Sequence, residues 1–372
     1  MVSNWPHEMD ESLTLHETSA GDWCRIVRHS GLARPWDILV PPKRLYAAGA
    51  SFQIGSKPRF VIVRSGKDIV GAFVTALRGD DACIIDVRSN GPAHWFDQAL
   101  ADIEDWADVN AAVSVKGPLG AYAFFTDGVV TESITPLDSI HIVTPPPDIA
   151  AAFERRGYVP YKTGHLNGRV GGSAIPPPPR RTTDEGVTVA SWLTIVGIIR
   201  RMITALDASF STLPWHSGPG ASPIDLMRTY LPVAYPKGVM MIDHDGQPAG
   251  GVVVYRDLRN VPDHVLRWPF WLQRLWLFVA ARRTRDVHVS VAGVLPAIRR
   301  TKRGLAAYER FMQLLMDVDA VHTSWIDDRN DLSGRLTIHA GLLPCQHRRV
   351  YCNDRSRGSF TKMEGQHDHG TT

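Results

Sequence analysis

The chain is short of cysteine. Cys24, Cys83, Cys345 and Cys352 are the four among 372 residues, and no two of them form a CxxC pair. Such scatter argues against a disulfide framework and lacks the ligand spacing of a structural zinc site, so reduced thiols and no metal are expected. Signals of export are missing as well. The opening MVSNWPHEMDESLTLHETS has neither a basic segment nor an apolar run, and does not read as a secretory leader. Long apolar runs are also lacking. The most apolar stretch, Trp268 to Ala281, is interrupted by Gln273 and Arg274 and is shorter than the roughly 20 residues of a membrane span. Its flanking Trp and Arg suit an interfacial helix, but a packed amphipathic helix is the expectation. A cytoplasmic protein with no membrane span follows. No Walker loop, no GxGxxG after a strand and no HExxH occurs, which sets aside the chemistries those motifs serve.

What is present suits a globular protein of two domains: 44% apolar and 21% charged residues over this length. The net charge of +3 is unevenly placed. Residues 1–166 hold 15 Lys and Arg against 20 Asp and Glu, whereas residues 187–352 hold 20 against 13. A basic second half suits an anionic ligand, a phosphorylated cofactor or a nucleic acid, without choosing between them.

The boundary is NGRVGGSAIPPPPRRTTDEG, residues 167–186, where glycines and a four-proline run read as a linker. Residues 353–372 are polar and aperiodic and read as a disordered tail, its His367 and His369 included. The two lobes, 1–166 and 187–352, share a faint repeat. RFVIVRSGKDIVGAFVTAL and GVMMIDHDGQPAGGVVVYRDL both read as hairpins by alternation and turn chemistry. Gly71 and Gly251 sit at matching points in them, and Gly157 and Gly341 close matching helices near each lobe's end. Two similar offsets suggest one fold duplicated. Between these landmarks the second lobe runs strand (286–295), basic loop, helix (Leu305 to Val318), strand (320–326), then a helix from Asp331. The first lobe keeps strand, helix and strand but has RSNGPAH in place of the basic loop.

A strand leading through a basic, glycine-containing loop into a helix has a definite use. The first-turn N–H groups have no internal partner and the helix dipole is positive there, so a diphosphate gains both hydrogen bonds and charge. Gly304 permits close backbone approach, and Arg299, Arg300, Lys302 and Arg303 add charge; the same pattern also serves as a plain solvated face. His288, on the strand before the loop, has a side chain suited to general-base work if it points inward with Ser290. If it points to the other face it is a structural histidine. Asp243 and His244 are second choices, read foremost as turn residues. Tyr255, Tyr308 and the tryptophans Trp268, Trp271 and Trp276 could line a site, with core packing the plainer reading.

The order hairpin, strand with GVLP, basic loop, helix, strand with SWIDDRND, helix, AGLLP and final strand resembles the GNAT superfamily of acyl-CoA transferases. Asn330 precedes Gly341 by 11 residues, the spacing seen in that superfamily. FSTLPWHS, GVLPAIRR, SWIDDRN and HAGLLPCQHRRVY, with KGPLGAYAFFTDGVVTES and FERRGYVPYK of the first lobe, together look like two-lobed bacterial GNAT-like proteins. The resemblance implies an α/β fold of tandem GNAT-like lobes, each a mixed, mostly antiparallel sheet flanked by helices, with the N-terminal lobe degenerate. It implies an acyl-CoA donor, acetyl-CoA foremost, held by Val291, Gly293, Val294, Arg299, Arg300, Thr301, Lys302, Arg303, Gly304, Leu305, Ala306 and Asn330. The thioester carbonyl would meet the backbone near Val291 to Gly293.

Two departures stand out. The superfamily's Arg/Gln-x-x-Gly-x-Gly/Ala keeps Gly304 and Ala306 here but has Thr301 at its head, and the tyrosine that often protonates the departing thiolate is replaced by Thr337. N-acylation of an amine on a small metabolite is the leading expectation. The alternatives are a degenerate pair of lobes acting as a binding or scaffold protein, for which Thr301 and Thr337 speak, and a Fem-like transferase using aminoacyl-tRNA, the one case in which a nucleic acid would be a partner.

Overall fold

The computed structural model describes residues 13–39, 56–90, 93–119, 128–134, 139–142, 148–170, 186–210, 229–299 and 301–354. The first half runs β1 (Leu13–Thr18), α1 (Ala20–His29), β2 (Ser56–Ser65), β3 (Asp68–Arg78), β4 (Asp81–Ser89), α2 (Phe96–Val109), β5 (Ser114–Gly117), β6 (Val129–Ser133), α3 (Ile149–Arg155) and β7 (Val159–Val170). The second runs β8 (Val187–Val189), α4 (Ile195–Phe210), β9 (Ala234–His244), β10 (Gln247–Arg256), α5 (Asp263–Leu266), α6 (Phe270–Arg283), β11 (Val287–Val294), α7 (Lys302–Met316), β12 (Ala320–Thr323), β13 (Ile326–Asp327), α8 (Asp331–His339) and β14 (Leu343–Asp354).

The two hairpins form where alternation and turn residues place them. β2 and β3 turn at Gly66, and β9 and β10 turn at Asp245 and Gly246, all three with positive φ, the geometry that two-residue hairpin loops favour. Gly71 and Gly251 are required by crowding. A Cβ on Gly71 would lie 2.2 Å from the Trp95 ring, and one on Gly251 1.9 Å from Met202 Sδ. Gly157 and Gly341, at φ +78° and +75°, close α3 and α8 as left-handed caps do.

Strand order shows the duplication. A single sheet reads β1-β2-β3-β4-β5-β14-β7-β12-β11-β10-β9-β8, with β6 on β14 and β13 on β7. It is a palindrome: each strand of the first half has its counterpart in the second. The lobes are therefore tandem copies of one mixed, mostly antiparallel α/β unit, in which β4–β5 and β11–β12 are the parallel pairs. The final strands are exchanged. β14, from the end of the second half, pairs with β5 of the first, and β7, from the end of the first, pairs with β12 of the second.

Apolar side chains fill both faces. On one, Val61, Phe73 and Ile84 pack under α2 and α3, and Val252, Val254 and Val289 pack under Met312 and Leu315 of α7. On the other, a shared core joins Trp23 of α1, Met202 of α4 and Leu277 of α6 across both lobes.

Three expectations shift. The stretch 167–170, read as linker, continues β7, because its polar residues find partners in the other lobe. The Asn167 N–H bonds Thr323 Oγ1 at 2.9 Å, and the Arg169 guanidinium bonds the Leu315 carbonyl at 2.7 Å. Residues 353 and 354, read as tail, complete β14 against Val115 and Ser114. α6 is not amphipathic: it buries Gln273, Leu277 and Ala281 but is apolar on the opposite side as well. The rest of the linker, 171–185, and of the tail, 355–372, lies outside the described residues.

Candidate functional site

β11 and β12 run side by side only briefly. Their parallel register extends from Val287 opposite Val321 to Val289 opposite Thr323, and the Ser324 N–H closes it on the Val289 carbonyl at 3.0 Å. The strands then part. On its other side β11 carries a bulge, since Val253 faces Val291 while the next residue, Val254, faces Val289, leaving Ser290 as the extra residue. A bulge bends its strand and sharpens the twist. Beyond Thr323 the chain turns to pair β13 with β7 instead. The edge of Ser290–Val294 that faced β12 thus has no strand partner among the described residues. Ser290, Val291, Gly293 and Val294 are half-buried and Ala292 is exposed.

α7 starts at the carboxyl end of β11, where ligands of open α/β sheets bind. Thr301 is its N-cap: the hydroxyl accepts from the Gly304 N–H and donates to the Ile298 carbonyl. This explains why the helix begins at Lys302, ahead of the expected Leu305, and gives Thr301 a structural task. Gly304 admits no side chain, since a Cβ there would sit 2.5 Å from the Ile298 carbonyl oxygen. Two of the basic residues, Arg299 and Arg303, are committed. Arg299 Nε bonds the Val294 carbonyl at 2.9 Å. Arg303 reaches the hairpin turn, its Nη1 lying 2.8 Å from His244 Nδ1 and 3.6 Å from Asp245 Oδ1. Lys302 and Leu305 are exposed, Ala306 is buried, and Arg300 lies outside the described residues. Asp243 and His244 are the last two residues of β9, paired with Pro248 and Gln247 ahead of the Asp245–Gly246 turn, and not turn residues as expected.

At the point where the strands part, His288 is 2% exposed and its Nε2 lies 2.9 Å from Ser324 Oγ. The expected companion, Ser290, is displaced by the bulge; the serine that meets His288 comes from the neighbouring strand. His288 belongs to a row set by register. Tyr255 of β10, His288 of β11 and His322 of β12 are direct cross-strand neighbours, so they project from one face. Over this row lies His141 of the first lobe, its ring stacked on His288 at 4.7 Å and on Tyr255 at 5.9 Å. Tyr230 stacks on Tyr255 at 4.3 Å.

Asp257, fully buried, holds the other end. It accepts from Ser139 at 2.8 Å and lies 3.1 Å from His322 Nδ1. Burial pushes the His288 ring well below the usual 6.5, and the neighbouring His141 adds to this while Asp257 opposes it. Burial likewise lowers His141. Burial pushes the Asp257 carboxyl up, but the His322 hydrogen bond and the histidines around it win and hold it below 3.8. His288 is therefore a neutral imidazole with one nitrogen on a half-buried hydroxyl, an arrangement able to receive and return a proton. Among the described residues no group of three His, Cys, Asp or Glu side chains has the geometry to hold a metal ion.

The remaining candidates lie elsewhere. Asn330 caps α8 through the Ser333 N–H. Thr337 is engaged with Asn167 Nδ2 at 2.6 Å and with the carbonyls of Ser333 and Gly334, so it does not replace the missing tyrosine. Tyr308, on α7 itself, packs half-buried against the core, and burial raises its phenol. Trp268 and Trp276 pack on the shared core, and Trp271 is exposed.

The first lobe repeats the geometry and fills it. β4 bulges at Ile85, since Val74 faces Asp86 and Thr75 faces Ile84, and the Leu119 N–H bonds the Ile84 carbonyl at 2.8 Å. Past the bulge, residues 32–37 lie against β4. Arg34 bonds the Val87 carbonyl, and the buried Arg88 pairs with Asp37 at 2.6 Å and Asp86 at 2.9 Å. Among the described residues, only the second lobe keeps an open edge.

Ser324, His322, Asp257, Ser139 and His141 were not singled out in the sequence. The matched VHV of β11 and VHT of β12 is the one signal that could have paired the histidines. No family model matches the chain, and no curated protein matches it in sequence. Solved structures do. A tandem GNAT protein from the clavulanic acid biosynthesis pathway is 13% identical, aligned over 92% of this chain and 99% of its own, at a TM-score of 0.48. A GCN5-related N-acetyltransferase from Sphaerobacter thermophilus is 11% identical over 92% and 96% at 0.47. One from Kribbella flavida is 11% identical over 92% and 70% at 0.45. The solved structures to which this chain is similar thus include GNAT-type N-acetyltransferases, a tandem protein among them.

Proposed function

We propose that the chain is an acyl-CoA-dependent N-acyltransferase, with the donor, acetyl-CoA foremost, held by the second lobe and an amine of a small metabolite as acceptor. The observation that carries this reading is the parting of β11 from β12 beside the Ser324–His288 pair. An extended, amide-bearing chain such as a pantetheine arm gains main-chain hydrogen bonds on an open strand edge, as an added strand does. The α7 amides of Lys302 and Arg303, with the exposed Lys302 ammonium, offer a diphosphate an electropositive end. Backbone N–H groups of Val291 to Gly293 would polarise the thioester carbonyl.

In this reading Ser324 and His288 move the proton. As the amine nitrogen bonds to the acyl carbon, Ser324 Oγ takes its proton and passes its own to His288 Nε2. When the carbon–sulfur bond breaks, the same two groups return a proton to the departing thiolate. The products are an amide and a free thiol, and the pair is restored. Burial suits His288 to this use: it rests neutral, and the imidazolium gives its proton back readily.

Calorimetry with CoA and with acetyl-CoA tests the proposal. Both bind if it holds; folded protein that takes up neither overturns it. Thr301, Arg303 and Thr337, all engaged with the protein itself, favour a second reading in which the lobes bind a ligand without turning it over. Binding of acetyl-CoA with no transfer to any of a panel of amines identifies that case.

A further inference from the structure

α6 is apolar on the side it turns away from the protein. Gln273, Leu277 and Ala281 face inward, with the Gln273 amide donating to the carbonyls of Val265 and Leu266. Trp271, Leu275 and Val279 stand two positions before them, about 200° around the helix at roughly 100° per residue. All three are exposed, Trp271 at 67% and Leu275 at 55%. The start of α4 extends the patch with Trp192, Leu193 and Val196, Leu193 being 95% exposed. Arg282 joins the two: its guanidinium lies 3.8 Å from the centre of the Phe278 ring and 5.7 Å from that of Trp192.

The segments that build this patch carry charge of one sign. From Arg267 to Arg285 the chain has five arginines and no carboxylate, and residues 187–201 add Arg200 and Arg201, again with none. Arg274 turns inward to the Thr229 carbonyl, and Arg201 and Arg285 pair with Asp243 and Asp319, each at 3.3 Å; Arg200, Arg267, Arg282 and Arg283 are exposed. A second copy of the chain fits poorly, since a two-fold contact sets this face against itself and brings arginines onto arginines. A surface with an apolar interior beneath a layer of anions meets both features. Tryptophan sits well at headgroup depth, aliphatic side chains below it, and arginine at the phosphates.

We propose that α6 and the start of α4 form a docking face for an anionic lipid surface, with Trp271, Leu275, Val279 and Leu193 entering the headgroup boundary. The proposal stands independently of the acyltransfer reading.

Cosedimentation of the full chain with vesicles tests it. Phosphatidylcholine vesicles containing one third phosphatidylglycerol should carry the protein down and pure phosphatidylcholine should not, with binding weakened in about 0.5 M salt. The Trp271→Glu, Leu275→Glu double variant should bind about tenfold or more weakly, with unchanged circular dichroism and thermal midpoint; Leu193→Glu gives a second, independent loss. Wild-type protein that ignores anionic vesicles, or a double variant that binds them as well as wild type, overturns the proposal. So does a dimer, with no vesicle binding, that the double variant turns into a monomer; the face is then a contact between copies.

Discussion

His141 of the first lobe stacks on His288 of the second with ring centroids 4.7 Å apart, and neither ring has a hydrogen-bond partner on Nδ1 among the described residues. The seam between the lobes is thus built on two imidazoles that must stay uncharged. Burial is the main cause for both, and their folded pKa values lie below the ordinary 6.5. Below about 6.5 the unfolded chain takes up protons that the folded one refuses, so stability is complete above that pH and declines as pH falls toward the folded values. Thermal midpoints taken from about pH 8 to about pH 5 should drop on the acid side. His141→Phe, which keeps a flat ring in the stack, should flatten that decline; an unchanged acid slope would place its cause elsewhere.

Ser324→Ala should separate chemistry from binding. The variant leaves the Val289–Ser324 backbone bond in place and removes only the hydroxyl that meets His288. Loss of a proton-transfer group costs about 10²–10⁴-fold in turnover. We expect kcat to fall by that order, with donor KM and thermal midpoint unchanged. Equal kcat, or a change confined to KM, would exclude Ser324 from the proton path.

Gly304→Ala and Lys302→Ala probe the start of α7 in opposite ways. The alanine methyl at 304 would press on the carbonyl oxygens of Ile298 and Arg299, at 2.5 and 3.0 Å, and backbone there must yield, at about 1–3 kcal/mol. Its melting point should fall together with CoA affinity. Lys302 is exposed, so its replacement should weaken CoA binding in a calorimeter and leave the melting point alone.

The sequence was clearest where structure is local. Both hairpins, the strand–helix–strand of each lobe and the capping glycines Gly157 and Gly341 follow from alternation, turn chemistry and helix periodicity within about 20 residues. The strand exchange was not legible. Asn167 and Arg169 look like linker because their partners, Thr323 and Leu315, lie about 150 residues away. The same holds at the site: His288 was visible, but its serine depended on a bulge that no composition signals, and Ser290 was the wrong neighbour. His141 reaches the site from the other lobe, through an aperiodic stretch. Arg299 and Arg303 read as free charge because their acceptors, the Val294 carbonyl and the hairpin turn, are set by tertiary packing.

Exchange of the final strands makes the halves interdependent. The first half without β14 leaves the edges of β5 and β7 unpaired, and the second without β7 exposes β12 and β14. Bare strand edges template aggregation. Residues 1–170 and 186–354 produced separately should be insoluble or unfolded, and should recover a cooperative transition when co-expressed as two chains. A half that folds alone as a stable monomer would contradict the pairing of β5 with β14.

Arg88 supplies the sharpest test of how the first lobe closes its own gap. Its side chain is fully buried and bonds both oxygens of Asp37, at 2.6 and 2.9 Å, as well as Asp86 Oδ2 at 2.9 Å; it also stacks 5.3 Å from the Trp23 ring centre. Replacing it leaves the buried Asp37 carboxylate without its cation and Asp86 with only the more distant Arg34 at 3.9 Å, and breaking such a pair from one side costs about 3–5 kcal/mol. Arg88→Met keeps much of the volume, so the loss it shows in a urea titration reports the unpaired charge more than a cavity. Adding Asp37→Asn should recover part of that loss, because one stranded charge is removed with it. If Arg88→Met were as stable as the parent, the cluster would be filling space without holding the lobe together, and the first lobe's gap would be closed by its apolar neighbours, Leu32 and Leu39 among them.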